Sequence, residues 1–518
     1  MSTGEKFFHM ADYLTDRLNP ILVKETRQAL KSRQFIVTFM LLLTVAWLIS
    51  VFGIVWFGPA IEYGSAGRAF FVAYYYVIGF ATLFVVPFGS FRSMLNERDQ
   101  NTYELLSIST LSPRQIVSGK LLSSLVQVFI YYSAIAPFIA FTSLLQGFDL
   151  AMVTLFLTLG LLWSVFVSMI ALMLSTLSSS RQWQAINTIG MLGLLLWQMS
   201  VAFGLSAAAF SESIPFDDEE FWWVLFSFLI GLGSYFLLAQ QIAVSRLTFE
   251  SDNRSSGVRV ICTLQFWLLW IGVWAYSYYS GTFAVDEEVI VVCATISCIH
   301  WFLAGLFFST EPDHVSRRIR RSVSRFGLLR LLIAPWMPGG RRGLLLLSMH
   351  LLAIVVIGNL DVWPAWVHNI VTVTALYVFI YVSLGAAVGR WGQAVTPEFR
   401  PAHARVLVIL MGALALIAPH LPAAFGFARW SNVYSLAEIT NPGRTIMIVS
   451  DAATFSGRHH GPMVDDILMT LSVAAGVSLL INLPAMIRGV TELLTWQPLE
   501  NYRSVVSDAP ETNGDFSG

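Results

Sequence analysis

RSMLNERDQNTYELLSISTLSPRQIVSGK, residues 92–120, is the longest charged, helix-forming interruption in the first half of an otherwise apolar chain. Apolar runs close on it from both sides, at residues 69–91 and 121–145. Crossing about 30 Å of hydrocarbon at a rise of about 1.5 Å per residue takes roughly 20 apolar residues, so each run is long enough to span a bilayer. The polar stretch is thereby held at a membrane surface. The pattern continues across all 518 residues, of which 56% are hydrophobic and only 12% charged, against about 25% charged in soluble domains. An all-α polytopic membrane protein is expected.

About twelve apolar runs follow one another, near residues 35–57, 69–91, 121–145, 152–177, 185–208 and 221–244, then 261–281, 289–308, 343–360, 367–388, 406–427 and 467–487. The run at 406–427 is broken by Pro419 and Pro422. Glu5, Asp12 and Asp16 precede the first run without an apolar h-region, which argues against a cleaved signal peptide. The first span is expected to serve as its own anchor. Cys262, Cys293 and Cys298 are odd in number and lie in or beside apolar runs, so no disulfide framework is indicated. A formal net charge of −1 gives no sign of a nucleic-acid partner.

Basic residues in short loops set orientation. Lys24, Arg27, Lys31 and Arg33 precede the first span, and Arg92, Arg98, Arg114 and Lys120 follow the second. Arg246, Arg254 and Arg259, the run from Arg317 to Arg330, and Arg390, Arg400 and Arg405 return to the same side, while Asp217–Glu220 and Asp286–Glu288 fall opposite. Both termini are therefore expected in the cytoplasm, the long outer loop at 428–466 with Arg429, Arg444 and Arg458 being the exception. The chain divides into a cytoplasmic N-terminus with an interface helix (1–34), two six-helix membrane modules (35–245 and 246–490) and a polar tail (491–518), expected to be disordered. Each half has its first large basic loop after its second span, at 92–120 and 311–342. Either the halves are a parallel duplication forming a fused pseudo-dimer, or one module carries six extra helices and two chains assemble as a homodimer.

Ahead of the first span, Asn19 suits a helix cap and Pro20 the first helical position. At 100° per residue Lys24, Arg27 and Lys31 share one face, while Leu22, Val23, Ala29 and Leu30 cluster on another. That is an amphipathic helix in the membrane interface, bending into the first span. Within 92–120, Asn101 or Thr102 starts a short helix carrying Tyr103, Leu106 and Ser109 along one side, with Glu104 where a carboxylate suits the dipole. Ser112 then caps, and Pro113 opens a helix that runs straight into the next span. A push on the short helix would be felt in the long one.

At these residues the chain resembles the permease subunits of type-2 ATP-binding-cassette (ABC-2) transporters. Their loop after the second span commonly reads E-R, then G-T-x-E-x-L, then P-L-S, then I-x-x-G-K. The matching residues are Glu97, Arg98, Thr102, Glu104, Leu106, Leu111, Ser112, Ile116, Gly119 and Lys120. Asn101 stands where the family often has Gly, a mild departure because Asn best replaces Gly at a left-handed position. Thr110 stands where it often has Pro. Asn19-Pro20 and Lys24-Glu25 are similar to the family's interface helix. The resemblance covers about residues 18–245, and the second half matches only in span number.

The resemblance implies a short cytoplasmic coupling helix seated in a groove of a separate ATPase subunit. Glu97, Arg98, Thr102, Glu104, Leu105 and Leu106 would contact that subunit, and Pro113, Gly119 and Lys120 would set the path into the membrane. The interface helix, with Pro20, Lys24, Glu25, Arg27 and Lys31, would border it. ATP and Mg would belong to the partner, with no cofactor in this chain and no enzyme activity of its own. An exporter of a bacterial cytoplasmic membrane is the implied whole.

HVSRRIRRSVSRFGLLRLLIAPWMPGGRRG, residues 314–343, interleaves arginines with apolar residues. Such a basic amphipathic stretch suits anionic lipid, or a second ATPase contact if the halves are duplicated. No P-loop exists, since Gly119-Lys120 lacks the Walker A spacing. No span carries Asp, Glu, Lys or Arg at mid-depth, as ion-coupled carriers typically do. Gln127 and Gln198 are expected to hydrogen-bond neighbouring helices. His459 and His460, with Asp451, Asp465 and Asp466, form the densest group of metal-ligand types, but adjacent histidines do not easily share one tight site. No metal is expected. Two other classes stay open, a polytopic scaffold without a transport path and an ion-coupled secondary carrier.

Overall fold

The computed structural model describes residues 19–59, 61, 66–99, 111–145, 149–177, 181–211, 214–249, 251–279, 286–313, 315–321, 323–324, 326–360, 363–396, 398–421, 425, 434, 436–454 and 461–495. These are almost entirely helical, with no strand among the described residues. Twelve of the described helices are long and apolar enough to cross a membrane. The chain is an all-α, multi-pass membrane protein. It separates into two compact units, Met1–Thr248 and Phe249–Gly518.

In the first unit, α1 (Pro20–Leu30) is capped by the Asn19 side chain, which accepts the Ile21 N–H, and Pro20 takes the first position, where no donor is needed. Ser32 caps α2 (Arg33–Phe57), accepting the Phe35 N–H. The helix stops at Gly58, whose φ of +48° a glycine adopts without a side-chain clash. The second span is compound, with α3 (Ala66–Gly79) passing through a π-helical turn (Phe80–Val85) into α4 (Val86–Asp99). It is followed by α5 (Pro113–Thr142), α6 (Leu150–Thr176), α7 (Arg181–Ser211) and α8 (Glu219–Leu247). α8 is capped by Asp218, with Glu219 and Glu220 in its first turn and Arg246 in its last, the charge order its dipole favours.

Lipid tails are as apolar as leucine, so spans associate through close packing and interhelical hydrogen bonds. α6 packs against α4, α5, α7 and α8. One aromatic-rich core gathers Phe70, Phe71, Tyr74, Tyr75, Tyr131, Phe156 and Phe210. A second joins Ile21 of α1 to Met94, Ile116, Val117, Met169, Leu172 and Ala243. Ser50 bonds Tyr74 (2.8 Å), and Ser90 bonds Ser124 (2.6 Å). Trp56, Ile189 and Val224 remain outside, exposed as lipid-facing residues would be.

The second unit contains α9 (Ser256–Tyr279), α10 (Glu287–Ser309), two short helices α11 (Arg317–Arg321) and α12 (Gly327–Ile333), and the spans α13 (Gly340–Gly358), α14 (Ala365–Val395) and α15 (Pro401–Ile417). It closes with α16 (Pro442–Thr454) and α17 (Gly461–Thr495). Here α14 is the central helix, packed against α10, α13, α15, α16 and α17. In both units the fourth span is thus in contact with the second, third, fifth and sixth.

Two boundaries differ from the sequence expectation. The eleventh span ends at Ile417 and tightens into a 3-10 turn at Ala418–His420, because Pro419 has no N–H with which to continue the helix. The expected outer loop at 428–466 contains a helix, α16, and the start of α17. Asn441 begins α16, its Oδ1 accepting the Arg444 N–H (3.0 Å) while its Nδ2 donates to Leu416 O (3.1 Å). Val449 packs inward with Tyr377 and Ile467, and the Tyr377 and Tyr381 hydroxyls donate to the Ile439 and Thr440 carbonyls just ahead. Burial raises the Tyr434 phenol above its ordinary pKa, offset in part by its hydrogen bond to Thr445.

Candidate functional site: an ion cluster binding an interface helix to two spans

Three elements meet at one end of the first unit: α1, the last turns of α4 and the first turns of α5. Ser112 fixes the start of α5 through a capping box with Gln115, and Pro113 takes its first position. α1 crosses α5 at Gly119, where a Cβ would lie 2.9 Å from both Asn19 Nδ2 and Ile21 Cβ. Only glycine leaves room for that approach. The contact is sealed by Asn19 Nδ2 donating to Gln115 O at 2.6 Å.

The next residue, Lys120, points into the junction and is almost wholly buried. Its Nζ lies 2.9 Å from Glu25 of α1 and 3.1 Å from Glu97 of α4, and donates to Ser93 Oγ at 3.0 Å. Ser93 donates in turn to the second oxygen of Glu25 (3.5 Å). Lys24, at the rim, stands 3.4 Å from Glu97. Two carboxylates are thus balanced by two ammonium groups, one inside and one at the edge. A lysine ion removed from water is tolerable only with such partners, because the desolvation cost exceeds what one exposed pair returns. The cluster is a clamp, and loosening any member frees a charge in a poorly hydrated place.

Of the residues singled out in the sequence, the clamp brings together Lys24, Glu25, Glu97 and Lys120, with Gly119 at the crossing beside it; Pro20 is exposed at the head of α1, and Pro113 opens the helix that carries Gly119 and Lys120. Glu97 faces the interface helix. Arg27 and Lys31 are exposed, Lys31 as the C-cap of α1. Arg98 lies in the last turn of α4. Thr102, Glu104, Leu105 and Leu106, and with them the expected coupling helix, lie outside the described residues, as do His459 and His460. No group of three or more His, Cys, Asp or Glu is gathered for a metal among the described residues.

Hydropathy and spacing carry no mark of the π turn in the second span. Such a turn shifts hydrogen bonds from i→i−4 to i→i−5 and leaves carbonyls to be met from outside. Ser164 of α6 donates to Thr82 O (2.7 Å), and Gln198 of α7 donates to Leu83 O (2.9 Å) while accepting from Trp163 Nε1 (2.9 Å). Gln198 meets the neighbouring helices as expected. Gln127 does not, for its amide donates to Ser123 O one turn back on its own helix.

The second unit has its own buried ion network. Arg259, in the first turn of α9, is fully buried. It donates to Ser255 Oγ (2.9 Å), Pro335 O (3.1 Å), Met337 O (2.6 Å), Gly339 O (3.0 Å) and Glu311 Oε2 (2.5 Å). Asp313 pairs with Arg341 at 3.0 Å, and Arg342 donates to Pro338 O (2.8 Å) and Gly489 O (3.1 Å). Gly339 turns the chain at φ +124°, and Gly340 nests where a Cβ would meet Ser309 O at 2.6 Å. Each unit therefore fastens the end of its second span to the start of its third with buried charge.

Comparison with known protein families, with curated proteins and with solved structures finds no match. An apolar crevice of about 340 Å³ lies in the second unit, lined by Phe302, Tyr377, Tyr381, Val408, Leu416 and Ile446. It offers two tyrosine hydroxyls, both already bonded to backbone carbonyls.

Proposed function

We propose that the chain is the membrane-spanning permease subunit of an ABC-2 transporter, moving a substrate out across a bacterial cytoplasmic membrane under the power of a separate ATPase subunit. The observation that carries this is the clamp of Glu25, Lys120 and Glu97. It joins an interfacial helix to the two helix ends flanking residues 101–110, the stretch whose motif resembles a coupling helix. Force applied to such a stretch would reach α5 through Ser112 and Pro113, and α1 through the buried ions. The three elements would then tilt as one piece.

In this reading both termini and the 101–110 stretch face the cytoplasm, where the ATPase, ATP and Mg reside. Nucleotide binding would favour one of two states separated by a few kcal/mol, and the spans would follow. The chain contributes no catalytic residue. The absence of a P-loop in its sequence supports this division of labour.

The test is reconstitution of the full chain with a P-loop ATPase encoded beside it. Expected are ATPase stimulation by the chain and nucleotide-driven flux, both lowered by Glu104→Arg or Arg98→Glu without loss of membrane insertion. Unchanged binding and stimulation in those variants would remove the coupling assignment. Flux driven by a pH or sodium gradient without any ATPase would point instead to a secondary carrier.

A further inference from the structure

We propose that α11 and α12, with the turn at 334–337, form an in-plane lipid site, with the leucine face of α12 sunk below the headgroups and Arg317, Arg318 and Arg320 bound to anionic phospholipid. The charge arrangement of α12 carries this. Its single charged residue, Arg330, is buried, donating to Ser324 O at 2.6 Å and to Leu494 O at 3.3 Å at the end of the last span. Its leucines point the other way, with Leu328 73% and Leu332 60% exposed, and Phe326 just before them 76% exposed.

On a helix at a water-facing surface the opposite distribution is favoured, with apolar residues inward and arginine outward. The inversion is stable only if the outer face meets hydrocarbon. The position of α12 agrees. It lies between the end of α10 and the start of α13 and packs on the end of α17, so it sits at the level where three spans leave the membrane. Ionic pairs of Asp313, Arg341 and Glu492 mark that level. Val315, Ile319, Ala334, Met337 and Leu493 form a buried cluster beneath it, and Trp336 donates to Thr263 Oγ1 (2.9 Å), so the segment is anchored from inside.

α11 is built differently. Ile319 turns inward, and Arg317, Arg318 and Arg320 are exposed, Arg318 also pairing with Asp252 at 2.5 Å. Guanidinium groups beside an immersed apolar helix lie at headgroup height, where each basic residue adds to the attraction for an anionic leaflet. A basic surface paired with an apolar one fits a charged lipid, whose two parts match both. A free phosphate would use only the arginines.

The experiment uses the full chain reconstituted into vesicles of phosphatidylcholine alone or with phosphatidylglycerol. Spin labels at Leu328→Cys and Leu332→Cys are expected to be accessible to oxygen and shielded from a water-soluble nickel chelate. Arg317→Gln with Arg320→Gln is expected to lower retention of phosphatidylglycerol over phosphatidylcholine by roughly tenfold to thirtyfold, with glycerol phosphate unable to compete. Labels open to nickel in vesicles would overturn the proposal. So would labels that become shielded only when a soluble protein partner is added, or lipid retention unchanged by the double variant. None of these outcomes depends on the ATPase, so the permease reading stands or falls separately.

Discussion

Lys120 has two carboxylates and no water to fall back on. Replacing it with Met should lower stability by about 3–5 kcal/mol, because Glu25 and Glu97 would lose their buried cation and keep only Lys24 at the rim to balance two charges. Adding Glu25→Gln and Glu97→Gln should restore most of that loss, a coupling that thermal unfolding of the single and triple variants in detergent would reveal. If the triple variant is no more stable than Lys120→Met, the three residues do not act as one cluster. Arg259 makes a different demand, since its planar fork serves three carbonyls, a hydroxyl and a carboxylate. Lysine cannot reproduce that fork. Arg259→Lys should therefore cost nearly as much as Arg259→Met, about 3 kcal/mol or more in unfolding measurements, with carbonyls of the 335–339 turn left unmet.

Helix starts were written locally and could be read locally: Asn19 with Pro20, and Ser112 with Pro113, each place a short polar cap before a residue that needs no donor. The membrane spans were legible for the same reason, hydropathy being a property of neighbouring residues. The clamp was not. Glu25 and Lys120 stand 95 residues apart, and nothing in either segment names the other. The π turn was also hidden, because one extra residue in an apolar run leaves its hydropathy unaltered. It is held at Leu83 O by Gln198, so Gln198→Leu should cost about 1–3 kcal/mol and speed amide exchange around residues 82–87, without changing the number of spans. Gly119→Val acts on another contact, driving α1 off α5. A disulfide engineered between Asn19→Cys and Gln115→Cys should form readily in the parent and poorly in that variant.

At the scale of the whole chain, the division after Thr248 makes each unit self-sufficient in its described core and ion pairs. Residues 1–248 and 249–518, co-expressed as separate polypeptides, should each insert, keep native helicity by circular dichroism and resist protease. Aggregation of either fragment would show that its core is completed by the other. The clamp also has a consequence for the order of synthesis. All its members lie within the first 120 residues, so the cluster can close once three spans have left the ribosome, and its charges are neutralised while most of the protein is still unmade. In the second unit the Arg259 network can close once the 335–339 turn is made, but Arg342 must wait for Gly489 of α17, 147 residues further on.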